Sequence, residues 1–474
     1  MKSLPLFILI TTLLSLTSSA LVDDLFDGKY TKEVYSGYLK TDIEGNELFY
    51  IFTPSQSSTP KTDPVLLWLN GGPGCSSVWG MLGEVGPVTT DLFSGEFTVN
   101  NFSWNKNANL IAIEAPAGVG FAKTSDPKQE FTDEKTAQGT LAGLKSFFNE
   151  FPEYKNNEFY ISGESYAGIY IPFLSRAIIA DGEINLKGIL IGNGLTDFDV
   201  DTERSMVEFG YWHAVIGLET WKAFQRNCPH LDPESNDLEP RNVTKRCNEI
   251  RLQIANEFTG LDPYGIYREC PFGAFSSSNK RRSSQQQVMI NTLTKIRKQQ
   301  RLKYYAAKGG VDANDESDLE PEEGIWPPLC EDDFTVYNFL NNNTIKAKLG
   351  VDQGVTWVQC SDDVSMYYVM SESLDFYQTF INEHPELRVW FFSGENDAVL
   401  PTIGTFRWMD KLKLGIKTEF RQWHFLNQVG GHVQEYENGL TLVTVKAAGH
   451  MVPQDQRESS FAMLTAFLKG TLPE

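Results

Sequence analysis

Short runs of apolar residues alternate with amphipathic stretches through the first part of the chain. Four such runs, at 65–69, 110–114, 158–162 and 187–191, predict buried strands. Between the second and third runs, residues 134–151 have the spacing of apolar positions that is typical of an amphipathic helix. Strands that alternate with helices form a mostly parallel sheet with helices on its faces, so the pattern predicts an α/β fold.

The pattern breaks between residues 199 and 344, where strand signals are hard to find. Within this stretch, residues 276–323 are rich first in Ser, Gln, Lys and Arg and then in Asp and Glu. Charge blocks of this kind usually lie in solvent or lack fixed structure, so we predict a largely helical cap insertion that contains a flexible tract. Such a tract is also an easy place for proteolytic nicking.

Strand signals return at 387–392 and 440–445, and residues 459–468 predict a closing helix. We therefore expect a core made of residues 21–198 and 345–474, interrupted by the insertion. A chain of 474 residues is long enough for one large α/β domain with an insertion of this kind.

The N-terminal residues 1–20 have the organisation of a secretory signal peptide. Lys2 supplies a positive charge, residues 4–16 form an apolar run that is short for a membrane span, and small residues end the segment at Ala20. No later stretch reaches the roughly 18 uninterrupted apolar residues of a spanning helix. We therefore expect a secretory-pathway protein with no membrane segment after cleavage.

Sequons and an even number of cysteines agree with a secretory-pathway protein. Asn101, Asn242 and Asn342 stand in Asn-x-Ser/Thr sequons and are candidate glycosylation sites. The six cysteines could pair in 15 ways in an oxidising compartment. A zinc site is not indicated, because no two cysteines stand in a Cys-x-x-Cys pair and no histidine lies at ligand spacing beside them.

The balance of charges excludes one class of partner. Lys and Arg number 41 and Asp and Glu number 62, which gives a net charge of −21. Phosphate backbones are bound by clustered Lys and Arg, so this excess of acid argues against nucleic acid as a partner. Apolar residues at 41% and charged residues at 22% are typical of globular proteins.

A serine with small neighbours follows the third predicted strand. The sequence GESYAG at 163–168 puts Ser165 between that strand and a predicted helix. A serine in a tight strand-to-helix turn presents its hydroxyl above the sheet as a nucleophile. The usual Gly-x-Ser-x-Gly pattern has Ala167 in its last place here, a residue small enough for the turn. A helix N-cap with a structural serine is the alternative interpretation.

Two further residues complete a possible catalytic triad. His450 follows a predicted strand near the C-terminus, where an α/β-hydrolase carries its base. The orienting acid is expected between serine and histidine at the end of a strand. Asp397 fits that place, with Glu395 as a rival and Asp410 as a more distant one. The order Ser165, Asp397, His450 is the order of the α/β-hydrolase fold.

A glycine-rich loop follows the first predicted strand. The sequence WLNGGPGCSS at 68–77 has three glycines in four positions. Residues without side chains let a substrate carbonyl approach backbone N–H groups, so the loop is a candidate oxyanion site. A tight structural turn is the alternative. A phosphate cradle is not indicated, because no Gly-Lys-Ser/Thr follows the loop.

These motifs together resemble those of the serine carboxypeptidases, including the cathepsin A-like lysosomal enzymes. The resemblance is carried by WLNGGPGCSS at 68–77, EAPAGVGF at 114–121, GESYAG at 163–168 and AGHMVP at 448–453. It implies an α/β-hydrolase core with a helical cap and the removal of single residues from the C-termini of peptides and proteins, with no cofactor and no metal. It also allows a homodimer, which nothing else in the sequence indicates.

The resemblance also implies roles for individual residues. Ser165 would be the nucleophile, His450 the general base and then acid, and Asp397 the residue that orients the histidine. The backbone N–H groups of Gly72 and Tyr166 would form the oxyanion hole. The residues that would bind the free carboxylate of the substrate are Asn70, Glu84 and Glu164, with Trp68 nearby. The implied disulfides are Cys75 to Cys360, Cys228 to Cys247 and Cys270 to Cys330.

The glutamate pair has a consequence for pH. A substrate carboxylate beside Glu84 and Glu164 would be repelled if both were ionised, whereas a protonated glutamate can donate a hydrogen bond to it. We therefore expect activity that is favoured at acidic pH, as in the lysosome, although secretion from the cell fits the signal peptide equally well.

Two other functions use the same residues differently. An acyltransferase would employ the same triad and pass the acyl group to an alcohol instead of water. A carboxylate-binding cluster favours the peptidase, because acyl transfer does not need one. The second alternative is a protein that binds and protects another enzyme. An intact Ser-Asp-His set argues against this as the sole role.

Overall fold

The computed structural model describes residues 20–91, 96–228, 244–269 and 334–474. Eleven of the strands form one sheet in the order β1-β2-β3-β7-β4-β9-β10-β12-β15-β14-β13. Two pairs, β5 with β6 and β8 with β11, lie outside it. The strands are β1 Ala20–Leu21, β2 Tyr35–Lys40, β3 Glu47–Thr53, β4 Val65–Leu69, β5 Val88–Asp91, β6 Glu96–Val99, β7 Asn109–Ile113, β8 Phe131–Thr132, β9 Phe159–Glu164, β10 Leu186–Gly192, β11 Tyr368–Val369, β12 Arg388–Gly394, β13 Ile416–Phe425, β14 Gln428–Tyr436 and β15 Leu440–Val445.

Helices cover both faces of the large sheet and form the insertion. A single π-helical turn, Met81–Val85, follows α1 directly. The α-helices are α1 Ser77–Gly80, α2 Asp133–Glu150, α3 Ala167–Asp181, α4 Phe198–Asp201, α5 Glu203–Trp212, α6 Leu218–Asn227, α7 Lys245–Glu257, α8 Phe334–Leu340, α9 Asn343–Lys348, α10 Asp362–Tyr367, α11 Leu374–Glu383, α12 Thr402–Lys411, α13 Val452–Asp455 and α14 Arg457–Lys469. None of the helices in the described ranges is long and apolar enough to cross a membrane.

The centre of the sheet is parallel and its flanks are antiparallel. Strands β7, β4, β9, β10, β12 and β15 run parallel to one another. All side chains of the central strands β4, β7 and β9 are buried, as continuous apolar runs predict. The α/β fold with a mostly parallel sheet is therefore confirmed.

Alternate residues of the central strands feed two separate hydrophobic cores. Leu67 and Ile161 belong to the core on the face covered by α2, α3, α11 and α12. Leu66 and Tyr160 belong to the opposite core, against which α14 packs. Because side chains alternate across a strand, both faces of the sheet must be apolar, and both must be covered.

Predicted and observed elements agree at the centre of the sheet and differ at its edges. Strands β4 and β15 have the predicted bounds, and the other six predicted elements are displaced by one or two residues at their ends. The antiparallel strands β2, β3, β13 and β14 were not predicted. Most residues of β13 are exposed, so its sequence has no apolar run to reveal it.

The described part of the predicted insertion is largely helical. Helices α5, α6 and α7 pack around a small core of their own, to which Phe209, Phe224 and Ile254 contribute. Helices α8 and α9, by contrast, pack against the sheet through Leu340 and Ile345. The division into core and cap stays a prediction. The predicted signal peptide, up to residue 19, and the tract 276–323 lie outside the described residues.

Two glycines provide a matched test of this packing. A Cβ on Gly163 in β9 would lie 2.2 Å from the carbonyl oxygen of Leu69 in β4, whereas a Cβ on Gly139 in α2 would have no atom nearer than 4.0 Å. We expect Gly163→Ala to lower the free energy of unfolding by more than about 2 kcal/mol, because two central strands must move apart. Gly139→Ala should raise it by roughly 0.5–1 kcal/mol, because alanine favours the helix.

Urea unfolding of both variants, followed by circular dichroism, measures the difference. Equal stability of the Gly163→Ala variant and the wild type would contradict the close approach of β4 and β9.

Candidate active site

Ser165 occupies a strained turn between β9 and α3. Its φ angle is +62°, a left-handed conformation that is uncommon for residues other than glycine. Its backbone N–H donates to the carbonyl of Gly192 at 3.0 Å, and its carbonyl accepts from the N–H of Leu195 at 2.9 Å. The turn is therefore fixed by hydrogen bonds to the last residue of β10 and to the segment that follows it.

Small residues around Ser165 are required by close backbone approaches. A Cβ on Gly168 would lie 2.3 Å from the carbonyl oxygen of Leu195. Ala167, in the last place of the motif, is fully buried. Gly163 lies against β4 as described above. These approaches favour the strand-to-helix turn over the alternative of an ordinary helix N-cap.

Asp397 and His450 form a buried pair. His450 Nδ1 and Asp397 Oδ2 are 2.7 Å apart, and the two side chains are 2% and 0% exposed. Burial lowers the pKa of His450, but the charge of Asp397 and its hydrogen bond outweigh this and hold the pKa above its ordinary value. Nε2 of His450 is buried and has no hydrogen-bond partner among the described residues. The imidazole thus presents this nitrogen for proton transfer.

Further hydrogen bonds fix the Asp397 carboxylate. Asn193 Nδ2 donates to Oδ2 at 2.8 Å, and the backbone N–H of Val399 donates to Oδ1 at 2.7 Å. The same asparagine accepts from the backbone N–H of Gly394 at 3.0 Å through its Oδ1. Asn193 was missed by the sequence analysis. Its position just after β10, at the carboxyl end of a parallel strand, was the available signal.

The two rival acids lie elsewhere. Glu395 accepts from Thr444 Oγ1 at 2.9 Å and lies 3.7 Å from His432. Asp410 is exposed and pairs with Lys413. The structure therefore brings Asp397, and neither rival, to His450.

The glycine-rich loop lies directly against the serine turn. A Cβ on Gly71 would be 2.4 Å from the backbone nitrogen of Tyr166 and 2.7 Å from Cβ of Ser165. Gly72 adopts a φ of +115°, which other residues rarely reach. Tyr170, from the helix that follows the serine, accepts from the N–H of Gly74 at 3.0 Å. The roles of Gly71 and Tyr170 were not visible in the sequence, because they depend on the approach of loop and helix.

A cluster of buried polar side chains adjoins this loop. Trp68 Nε1 donates to Asn70 Oδ1 at 2.8 Å. Asn70 Nδ2 lies 2.9 Å from Glu164 Oε1 and 3.4 Å from Glu84 Oε1. All four side chains are at most 4% exposed. The four residues come from β4, the loop after it, the π-helical turn and β9, so the structure brings the whole predicted set together.

Burial changes the protonation of the two glutamates. It raises the pKa of Glu164 to about 7. Burial and the neighbouring charge of Glu164 raise the pKa of Glu84 well above its ordinary value. The two carboxyl groups also form a hydrogen bond with each other, which requires that at least one of them holds a proton. At acidic pH the cluster therefore holds protonated carboxyl groups, which can donate hydrogen bonds.

Gly80 is a further residue of the cluster that the sequence did not indicate. A Cβ at this position would lie 2.2 Å from Trp68 Nε1 and 2.4 Å from Asn70 Oδ1. The hydrogen bond between these two side chains therefore needs a glycine at position 80.

A buried glutamate of the second motif holds the loops beside the site. Glu114 accepts hydrogen bonds from Ser76, from Trp357 Nε1 at 3.0 Å and from the backbone N–H of Phe121 at 2.5 Å. Burial raises the pKa of Glu114 to about 7. Through Glu114, the motif EAPAGVGF at 114–121 has a structural role: it hydrogen-bonds both to the glycine-rich loop and to Trp357.

The remaining predicted modifications fall partly outside the described residues. Disulfide bonds join Cys75 to Cys360 and Cys228 to Cys247. Asn101 and Asn342 are exposed, and their glycosylation stays a prediction. Three predicted positions, Cys270, Cys330 and Asn242, lie outside the described residues.

Comparison with known proteins identifies relatives over nearly the whole chain. A family model described as serine carboxypeptidase matches residues 25–470. Serine carboxypeptidase-like 31 of Arabidopsis thaliana is 35% identical, over 93% of this chain and 86% of the relative. The lysosomal protective protein of Mus musculus is 31% identical, over 92% of this chain and 90% of the relative.

A solved structure agrees with the fold. The crystal structure of Kex1(delta)p, a prohormone-processing carboxypeptidase from Saccharomyces cerevisiae, superposes with a TM-score of 0.67 and 22% identity, over 93% of this chain and 92% of that one. At this identity the likeness shows the fold, which is the predicted α/β-hydrolase fold. Together with the family match, the comparisons show that the chain belongs to the serine carboxypeptidase family and is a serine-type carboxypeptidase.

Proposed function

We propose that the protein removes single residues from the C-termini of peptides and proteins through an acyl-enzyme on Ser165. The observation that carries this proposal is the buried Asp397–His450 pair at the same sheet edge as Ser165 and the Asn70–Glu84–Glu164 cluster. The pair provides a base for the serine. The cluster provides a group that can recognise a terminal carboxylate.

The reaction has two steps: acylation of Ser165 and hydrolysis of the resulting ester. Ser165 Oγ attacks the carbonyl carbon of the last peptide bond while its proton moves to Nε2 of His450. The C–N bond then breaks, and the same proton goes to the leaving amine. Water attacks the resulting ester, with His450 first taking a proton and then returning it to Ser165. Asp397 keeps the imidazole in the tautomer with the proton on Nδ1.

Backbone N–H groups stabilise the charge that develops on the carbonyl oxygen. We assign this role to Gly72 and Tyr166. Tyr166 immediately precedes α3, where the N–H groups of a helix have no partner within the helix. A Cβ on Gly71 would lie only 2.4 Å from the Tyr166 nitrogen, and this closeness supports the glycine-rich loop as the source of the second donor.

The carboxylate cluster selects the end of a peptide chain. A protonated Glu84 or Glu164 donates a hydrogen bond to the terminal carboxylate, and Asn70 is held by Trp68 so that its amide faces both glutamates. Binding therefore requires acidic conditions. Such conditions fit an acidic compartment of the secretory pathway, such as the lysosome, or an acidic exterior. A homodimer stays a prediction.

Mass spectrometry of a peptide with a blocked N-terminus tests the proposal directly. At about pH 5, where the glutamate pair should be protonated, we expect stepwise loss of single C-terminal residues. A copy of the peptide with a C-terminal amide should be cleaved far more slowly. Ser165→Ala should lose at least about 10³-fold in rate, because no other residue replaces the nucleophile.

Two outcomes would contradict this proposal. One is the absence of cleavage by folded wild type. The other is transfer of the acyl group to an added alcohol in preference to water, which would indicate an acyltransferase.

A pair of glycine variants tests the carboxylate cluster. Gly80→Ala forces Trp68 and Asn70 apart, and we expect it to raise KM for a free-acid peptide by about tenfold or more. Gly83→Ala is the matched control, because its Cβ would have no atom nearer than 3.8 Å. The KM of Gly83→Ala should stay within roughly twofold of the wild-type value, because a change of that size corresponds to only a small loss of binding free energy. Equal KM values for the two variants would count against the cluster as the binding group.

The pH dependence of KM tests the protonation of the cluster. The pKa of Glu164 is raised to about 7, so its protonated form is present below that value and is lost as the pH rises through it. The pKa of Glu84 is raised well above its ordinary value, so this residue also holds its proton at acidic pH. We therefore expect KM for a free-acid peptide to increase between pH 5 and pH 8. The methyl ester of the same peptide has no carboxylate, so its KM should change much less. A flat KM for the free acid would refute the protonation model.

A further inference from the structure

The segment at 262–268, which belongs to the predicted insertion, contacts both loops that carry the Asp397–His450 pair. We call it the clamp segment. Its Pro263 carbonyl accepts from the N–H of Ala398 at 2.9 Å, next to Asp397. Its Tyr264 carbonyl accepts from the N–H of His450 at 2.6 Å. One short segment is thus hydrogen-bonded to the backbone of both catalytic loops.

The contact with the histidine loop is close. A Cβ on Gly449 would lie 2.1 Å from the Tyr264 carbonyl oxygen. The Tyr264 ring meets the imidazole of His450 edge to face, with 4.9 Å between ring centres. On the other loop, the N–H of Ile266 donates to the carbonyl of Asn396 at 3.2 Å, and the Ile266 side chain packs in the same core as Ala398. The clamp segment therefore limits how either loop can move.

Arg268 closes a ring of hydrogen bonds around this contact. Its Nη2 donates to Asp455 Oδ1 at 2.7 Å, and Asp455 Oδ2 accepts from the N–H of Gly449 at 2.6 Å. Its Nη1 lies 3.3 Å from Asp262 Oδ2, and Asp262 Oδ1 accepts from the N–H of Tyr264 at 3.0 Å. The ring runs from the arginine through both aspartates to the backbone on either side of the His450 N–H.

The ring is shielded from water. The side chains of Arg268, Asp262 and Asp455 are 13%, 2% and 15% exposed. Loss of the arginine would leave Asp262 buried without its cation, which is far more costly than loss of an exposed ion pair. The charge of Arg268 also acts on the imidazole of His450.

Charged side chains near His450 change its pKa in opposite directions. Asp397 and Glu164 favour the charged imidazole and raise its pKa, whereas Arg268 disfavours it and lowers its pKa. Asp262 and Asp455 form ion pairs with Arg268, so their negative charges oppose the effect of the arginine. The arginine therefore opposes premature protonation of the base.

We propose that Arg268 is a positioning residue for the catalytic base. Through Asp455 and Asp262, the arginine keeps His450 and Asp397 in place relative to each other. Arg268 is not assigned a contact with substrate. The proposal rests on the proposed function, because it assumes that His450 is the base for Ser165. It makes the geometry of the catalytic pair dependent on the insertion.

Labelling of the full-length protein by a fluorophosphonate probe tests the proposal. The probe forms a Ser–O–P bond with loss of fluoride, and its rate reports activation of the serine without any need for a substrate carboxylate. The rate is measured from pH 4 to pH 9 for the wild type, Arg268→Gln, Arg268→Lys and Asp455→Asn. Arg246→Gln is the matched control, because Arg246 is an exposed arginine of the insertion. Thermal unfolding of each variant checks that it is folded.

Arg268→Gln and Asp455→Asn should shift the pH midpoint of labelling in opposite directions. We expect Arg268→Gln to lower the plateau rate by about tenfold or more, because the base is misplaced. Its pH midpoint should move upward by roughly half a unit to one unit, because a nearby cation is lost. Asp455→Asn should move the midpoint downward, because a nearby anion is lost. Arg268→Lys should keep the wild-type midpoint and recover part of the plateau rate. Arg246→Gln should behave as the wild type.

The results separate this proposal from the proposed function. Absence of labelling in folded wild type would contradict Ser165 as an activated nucleophile. Labelling of the wild type with the same plateau and midpoint in Arg268→Gln would overturn the positioning role alone. Midpoints that move in the same direction in Arg268→Gln and Asp455→Asn would also overturn it. If Arg268→Gln does not fold, the downward shift in Asp455→Asn and the unchanged midpoint of Arg268→Lys decide the outcome.

Discussion

The hydrogen bond between Asp397 and His450 depends on the register of four neighbouring parallel strands. Strands β9, β10, β12 and β15 lie side by side, and each ends at the same edge of the sheet. Ser165, Asn193, Asp397 and His450 each follow one of these strands. A displacement of one strand would therefore separate the nucleophile from its base, or the base from its acid. The continuous apolar strands of the centre hold this register because both of their faces are buried.

The carboxylate cluster places a different demand on the fold. Ionised carboxylates are costly to bury, so Glu84 and Glu164 are tolerated because they retain protons at acidic pH and contact Asn70. Asn70 is in turn held by Trp68, and that contact needs the absence of a side chain at Gly80. The same buried protons that make the cluster acceptable to the fold are those that would bind a terminal carboxylate. In the proposed function, recognition of the substrate carboxylate and a preference for acidic pH would therefore have one physical cause.

The predicted insertion does more than cover the sheet. Its helices α5 to α7 have a core of their own, yet the segment that follows them is hydrogen-bonded to the loops of both Asp397 and His450. The positions of the acid and the base are consequently set from two sides, by the ends of β12 and β15 and by the insertion. A change in the insertion can reach the catalytic pair through these contacts without any change in the sheet.

The sequence by itself determined the central strands and the flanking helices α2, α3 and α14, because buried parallel strands are continuous apolar runs and amphipathic helices have periodic ones. It also pointed to Ser165, Asp397 and His450 as a triad, because the residues around the serine are small and the three follow strands in the expected order. The members of the carboxylate cluster were implied only by the resemblance to the serine carboxypeptidases. The sequence did not reveal the antiparallel strands β2, β3, β13 and β14, since the exposed β13 has no apolar run. Only the tertiary structure decided between Asp397 and its rival Glu395, which is just two residues away. It alone also brought in Asn193, Gly80, Tyr264 and Arg268. Their contacts join positions that are distant along the chain, and such contacts leave no local pattern in a sequence.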